Sequence, residues 1–275
     1  MVKHTGILVS LIIRYKKHVL SFHLKGGTTL EKYRLEQHPL GKGATSLVFF
    51  GLNGKNERVV IKKVTMGSEA EQENEILKSL PVHKHIITGL DFFVEEQTGY
   101  IVLEYHEGSR LGYFKKGSIR EQKLAVQITI NILEGLKVIH QHNILHCDIT
   151  PHNVLICNEQ PQTVKIIDFG SAVQLNESGV YIGSHKGATR YYRPPELSKK
   201  NNCFTANLDT SSDLYSVACV CLYLLTGEAP VNKHQACAKV AHRGLQEVLM
   251  KATNKRKSKR YQSAQELIDD LLPFI

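Results

Sequence analysis

The chain has 275 residues, of which 42% are hydrophobic and 22% charged, and carries a formal net charge of +9 at pH 7. This length supplies ample core for one large domain or two lobes, and the composition is that of an ordinary soluble globular protein, which excludes disordered and low-complexity classes. The basic balance favours anionic partners (nucleotides, acidic proteins, nucleic acid or anionic lipid) without choosing among them.

In chain order, the segment Gly6 to Ile13 is apolar but is cut off by Arg14, Lys16 and Lys17. It is too short to cross a bilayer, and no small-residue cleavage site follows it. Residues 1–32 are expected to form an extension packed on the first lobe, with a membrane-surface segment as the alternative. Residues 33–105 read mainly as short strands, among them Leu47 to Phe50, Arg58 to Ile61 and Tyr100 to Leu103. A helix over Glu69 to Leu80 interrupts them, with Ile76, Leu77 and Leu80 at helical spacing. Residues 106–275 turn helical: Leu124 to His140, an apolar run from Asp213 to Leu225 closed by Gly227 and Pro230, Gln246 to Lys251, and Ala264 to Leu272. The expected fold class is α+β, with a β-rich first lobe, a helical second lobe and a ligand cleft between them. The six cysteines show no metal-like pairing; Cys219 and Cys221 lie in an apolar run, as core thiols of a reduced, intracellular protein would.

The chemistry concentrates in His146-Cys147-Asp148-Ile149-Thr150-Pro151-His152-Asn153 and, after a short gap, Asp168-Phe169-Gly170. Asp148 can orient a hydroxyl and take its proton, while Asn153 and Asp168 offer hard oxygen ligands to magnesium on nucleotide phosphates. Upstream, Gly41-Lys42-Gly43-Ala44-Thr45-Ser46-Leu47-Val48 lies between two expected strands, and its glycines permit backbone amides to approach phosphates. Alone, that stretch reads better as a plain hairpin turn. Lys62 ends a strand, and the helix beyond it carries Glu71, Glu73 and Glu75. In isolation these are a surface lysine and a solvated acidic face.

Together the set resembles the catalytic and metal-binding loops of eukaryotic-type serine/threonine protein kinases, and Lys259-Arg260-Tyr261-Gln262-Ser263-Ala264 looks most like compact bacterial members. The resemblance covers roughly Tyr33 to Phe274 and implies a bilobal kinase fold, with lobes at 33–105 and 106–275. It implies that Lys62 holds phosphates and is positioned by Glu73, that Asp148 is the catalytic acid–base residue, and that Asn153 and Asp168 bind the metal. Gly41, Gly43, Val48, Val60, Leu103, Glu104, His106 and Leu155 would line the nucleotide site, with Leu103 at the back and the backbone of Glu104 and His106 against the adenine. Asp213 would accept backbone N–H bonds from the catalytic loop, and Arg260 would pair with Glu196. Gly187 to Glu196 resembles the substrate-docking loop, with Thr189 bonding toward Asp148.

The implied reaction is transfer of the ATP γ-phosphoryl group to serine or threonine hydroxyls of protein substrates, with Mg²⁺ (or Mn²⁺) and no nucleic acid. A monomer acting in its own cytoplasm, or in a host's after delivery, is expected. Several residues depart from the family pattern. Ser46 replaces a third glycine, Thr150 replaces the lysine beside the transferred group, and Cys147 replaces an arginine that grips a phosphorylated activation loop. The last change implies activity independent of activation-loop phosphorylation. The region after Gly227 is short, so its usual helix must be trimmed. These departures favour one alternative, a nucleotide-binding pseudokinase or scaffold. A small-molecule kinase is the other, disfavoured by Gly187 to Glu196. Ser178, Tyr181, Ser184 and Thr189 are candidate modification sites in the loop before Glu196.

Overall fold

Period-two alternation in the first third of the chain and helical periodicity afterwards produce the two lobes. The computed structural model describes residues 32–43, 45–113, 122–158, 160, 163–185, 188–200 and 203–275; the extension before Lys32, Ala44 and Gly187 lie outside them. The first lobe runs β1 (Arg34–Leu35), β2 (Gly41–Lys42), β3 (Ser46–Leu52), β4 (Arg58–Val64), α1 (Gly67–Ser79), β5 (Gly89–Glu95) and β6 (Thr98–Glu104). Its strands form one antiparallel sheet in the order β1-β3-β4-β6-β5, with β2 folded back on β3.

Alternation along β4 decides what each face of that sheet does. Val59 and Ile61 point to a small core with Phe93, Tyr100 and Val102. Val60 and Lys62 take the other face, where the register sets Val48 opposite Lys62 and Leu103 opposite Val60. Helix α1 can lie close on the sheet because Gly99 has no side chain; a Cβ there would come within 2.2 Å of Ala70 Cβ. Its first turn is tied down by the Gly67 N–H donating to Gln97 O at 2.8 Å.

The second lobe continues with β7 (Gly108–Arg110), α2 (Gln122–Gln141), β8 (Ile144–Leu145), β9 (Val154–Cys157), β10 (Val164–Ile166), β11 (Val173–Gln174), β12 (Tyr181–His185), β13 (Ser198–Lys200), β14 (Cys203–Leu208), α3 (Thr210–Thr226), α4 (Lys233–Ala238), α5 (Arg243–Ala252) and α6 (Ala264–Leu271). Helix α3 is the expected buried centre. It starts with an Asp209–Ser212 capping box and ends at Gly227 in the left-handed region, φ 71°. The helix after Pro230 is cut down to the six residues of α4, as the shortened sequence requires. One apolar cluster runs from Ile76 and Leu77 of α1 through Phe169 to α2 and α3, so the lobes share a core.

A three-stranded sheet β12-β14-β13 was not expected. The segment taken as a loop before Glu196 contains β12, which pairs along its whole length with β14, from Tyr181 opposite Leu208 to His185 opposite Phe204. Tyr181 and Ser184 are therefore strand residues, and the Tyr181 hydroxyl donates to Ser184 O at 2.5 Å.

Candidate active site

Lys62 is delivered to the cleft by the alternation of β4, and Glu73 by the inward face of α1, where it is buried with Ile76 and Leu77. Lys62 Nζ donates to both Glu73 oxygens at 2.8 and 2.7 Å and to Asp168 Oδ1 at 2.6 Å. Burial opposes charge on all three groups. Lys62, between two carboxylates, is nevertheless held above its ordinary value. Asp168 is also opposed by burial, but the ammonium draws it below the usual carboxylate range. Glu73 moves up, because burial together with the Asp168 charge outweighs Lys62. The Asp168 side chain stays 47% exposed, so it faces both the lysine and the open cleft.

Asp168 has φ 69° and Cys147 φ 65°, both in the left-handed region. Such conformations cost on the order of 1–3 kcal/mol each in non-glycine residues and persist where the surroundings over-determine them. The restraint on Cys147 is Asp213 at the start of α3, whose oxygens accept the backbone N–H groups of His146 and Cys147, both at 2.9 Å. His140 of α2 lies 2.9 Å from the same carboxylate. Buried Asp213 would be disfavoured as an anion, but the His140 contact, the His146 charge and the His146 N–H bring it below its ordinary value. The His146 ring packs on Phe169 at 5.0 Å between centroids and bonds Ile167 O at 3.2 Å. The two loops bearing the oxygen groups are thus locked to each other.

Within the catalytic loop, Asn153 Nδ2 donates to Asp148 O at 2.9 Å and to Asp148 Oδ2 at 3.0 Å. Its amide oxygen is left as the ligand-capable atom. Asp148 Oδ1 accepts the Thr189 N–H at 2.9 Å. Thr189 thus bonds toward Asp148 as expected, and does so through its main chain, so the geometry does not require threonine. Thr150 is buried, and no cation stands in its place in the loop.

The residues expected to line a nucleotide site fall as the register dictates. Val48, Val60 and Leu103 share the cleft face of the sheet with Lys62, Gly41 opens β2 and Gly43 follows it, and Leu155 is in β9 of the second lobe. Glu104 and His106 follow Leu103 in the connection between lobes. Their side chains have a task that sequence reasoning missed. Glu104 Oε1 lies 2.8 Å from Lys165 Nζ, Oε2 lies 3.0 Å from His106 Nε2, and the Thr88 N–H also reaches Oε1 at 2.9 Å. Buried Lys165 also donates to Ile86 O at 3.0 Å, riveting the connection to β10. The available signal was a lysine inside the apolar run Val164 to Ile167. A surface cavity of about 680 Å³, bordered by Lys84, His85, Lys123, Gln127 and Asn131, takes in no residue of this constellation.

Cys147 sits in an apolar cluster with Leu145, Val173, Leu175, Leu197 and Leu208, against which Tyr181 packs. Burial, with Asp213 and Asp148 nearby, pushes its thiol well up, so it remains neutral. Where an arginine would present a cation, this chain presents oil. Glu196 meets Arg260 in the expected bidentate pair, at 2.7 and 2.8 Å, and also accepts from Ser212 Oγ at 2.8 Å. Arg260 is fully buried over the Tyr215 ring.

Comparison with known proteins agrees with this geometry. The profile described as "Protein kinase domain" matches residues 34–274. MAP3K epsilon protein kinase 1 of Brassica napus is 34% identical over 221 residues, covering 76% of this chain and 16% of the relative. A probable serine/threonine-protein kinase of Clostridium perfringens is 27% identical over 260 residues, covering 84% of this chain and 37% of the relative. The probable serine/threonine-protein kinase zyg-1 of Caenorhabditis briggsae is 29% identical over 214 residues, covering 76% and 29%. The chain spans well under half the length of each. With buried Lys62 bound to Glu73 and Asp168, Asp213 holding the catalytic loop and the profile running through both lobes, the chain belongs to the protein kinase domain family.

Proposed function

We propose that this chain transfers the γ-phosphoryl group of ATP to serine or threonine hydroxyls of protein substrates. The observation that carries the reading is the convergence of Lys62 Nζ on Glu73 and Asp168 within 2.8 Å, beside a catalytic loop whose Asp148 and Asn153 are already bonded to each other. Lys62 binds phosphate oxygens and Glu73 fixes its position. Asp148 orients the acceptor hydroxyl and receives its proton, and Gly41 and Gly43 shape the lid. Val48, Val60, Leu103 and Leu155 enclose the adenine, with the backbone of Glu104 and His106 at its edge.

The donor set fits a magnesium ion. Asp168 is half open to the cleft, Asn153 keeps its amide oxygen free, and no cluster of three or more acidic, histidine or cysteine ligands exists among the described residues. Magnesium is ordinarily held by one or two carboxylates plus phosphate oxygens and water, not by a protein cage. When bound, it neutralises charge on the phosphates; the rest of catalysis is positioning. Thr150 supplies no cation to the transferred group, a loss of roughly 2–4 kcal/mol of transition-state stabilisation by analogy with other electrostatic groups, which slows the reaction without abolishing it.

Activity is independent of activation-loop phosphorylation in this reading. The apolar cluster around Cys147 offers nothing to a phosphate, and the β12–β14 pairing orders the segment instead. The test is transfer of labelled phosphate from ATP, with magnesium or manganese, to the protein itself and to generic protein substrates. Wild-type transfer that survives prior phosphatase treatment and is lost in Asp168→Asn supports the proposal. Nucleotide binding without transfer to any acceptor would leave only the scaffold reading.

A further inference from the structure

The entrance of the cleft carries positive charge for which phosphoryl transfer alone has no use. Arg110 ends β7 and reaches up to the lid, where a Cβ built on Gly41 would meet its Nη2 at 3.6 Å. Among the described residues its guanidinium makes no hydrogen bond or ion pair. Two residues on, the Gly112 N–H donates to Pro151 O of the catalytic loop at 2.7 Å. There the His152 ring packs so closely that a Cβ on Gly112 would lie 2.6 Å from it. Arg110 and exposed His152 therefore share one rim, beside Asp148. On the other side, exposed Arg190 follows Thr189, whose N–H touches Asp148, and its guanidinium lies over the Tyr191 ring at 5.4 Å. Lys42 is exposed on the lid itself. Two carboxylates stand at the margins. Glu107 is exposed at the connection between lobes, and Glu69 lies behind the lid, where it accepts from the Thr45 hydroxyl at 3.3 Å.

We propose that this rim selects acceptor segments flanked by acidic or phosphorylated residues, with Arg110 as the specificity-determining residue. An unpaired guanidinium matches a carboxylate or phosphate bidentately, whereas a lysine- or arginine-rich segment would meet like charge from three directions. The proposal rests on the kinase reading for its setting. Its rival is that Arg110 contacts the nucleotide, since it lies against the lid.

The test uses the full chain and two serine peptides that differ only in flanking Asp/Glu or flanking Lys/Arg, with ATP and peptide varied separately. The acidic peptide should have a kcat/KM at least about tenfold higher, and Arg110→Glu should reverse the order while leaving the KM for ATP and the melting temperature unchanged. A wild-type preference for the basic peptide, or none, overturns the proposal. So does an Arg110→Glu variant that shifts the KM for ATP and leaves the peptide ranking alone. Anisotropy of the same labelled peptides, bound to protein with ATP present, reads the preference without turnover. Absence of phosphoryl transfer would then sink the proposed function, while the binding order still decides the role of Arg110.

Discussion

Lys62 and Lys63 are neighbours on β4, yet only the first is buried, because alternate side chains of a strand face opposite ways. Lys63 lies outside, with its ammonium over the Tyr100 ring at 5.8 Å. The choice of Glu73 over Glu71 and Glu75 follows from the same kind of phase argument on α1, and Glu73 lies 2.7 Å from Lys62 Nζ. Removing one partner of such a buried pair costs about 3–5 kcal/mol, most of it from the charge left behind. Asp148 belongs to a different category, since its carboxylate is held by Asn153 and the Thr189 N–H and supports little of the fold. Asp148→Asn should lower kcat by roughly 10²–10⁴-fold, as for other positioned acid–base groups, with an unchanged melting temperature in a thermal scan; an equal loss of stability would reassign it as structural. Cys147 was legible as a missing arginine, but not as part of an apolar cluster. Its partners Val173, Leu197 and Leu208 come from distant parts of the chain.

At the scale of elements, the long helices could be read in advance because apolar periodicity and caps are local. Helix α3 begins at Thr210, a few residues before the expected Asp213, because Asp209 and Ser212 cap it further upstream. The hairpin β13–β14 and its pairing with β12 could not be read, since strand pairing depends on a partner some twenty residues away and on register. Strand β14 lies in the middle of that sheet, and Thr205 is paired with Ser184 on one side and Ser198 on the other. Thr205→Pro removes an N–H from a two-sided ladder. It should raise hydrogen exchange across Tyr181 to His185 and lower activity, while exchange in α2 stays slow; unchanged exchange in β12 would contradict the anchoring role given to β14. Arg260→Ala should lower stability by about 3–5 kcal/mol in denaturant unfolding, because Glu196 and the carbonyls of Asn254 and Ser211 lose a fully buried donor. A cost near that of a surface ion pair, below about 1 kcal/mol, would contradict this.

The whole molecule should respond to acid through aspartates that are paired in the fold. Asp213, Asp209 and Asp168 have folded-state values below the ordinary 3.8, with burial opposing and hydrogen bonds and cations prevailing. Their contribution is complete above that value and is lost as pH falls below it. His85, lowered mainly by burial, weakens the fold below its ordinary 6.5, whereas Glu73, raised mainly by burial, works in the opposite direction above 4.5. Denaturant midpoints should therefore change little between about pH 4.5 and 6.5 and fall steeply below 3.8; a steep loss already at pH 5 would contradict this balance. The lobes were separable in the sequence because a change of hydrophobic period marks the border near Glu104. By itself the sequence determined the set of candidate residues for the chemistry, because side-chain identity and short-range spacing are written along the chain. Only the tertiary structure decided how the lobes are joined, through Lys165 and Glu104 and the shared core around Phe169. It alone also decided what replaces the missing arginine and which cations border the entrance. Those features depend on residues far apart in sequence meeting in a low-dielectric interior, or on one rim, and no local pattern records such meetings.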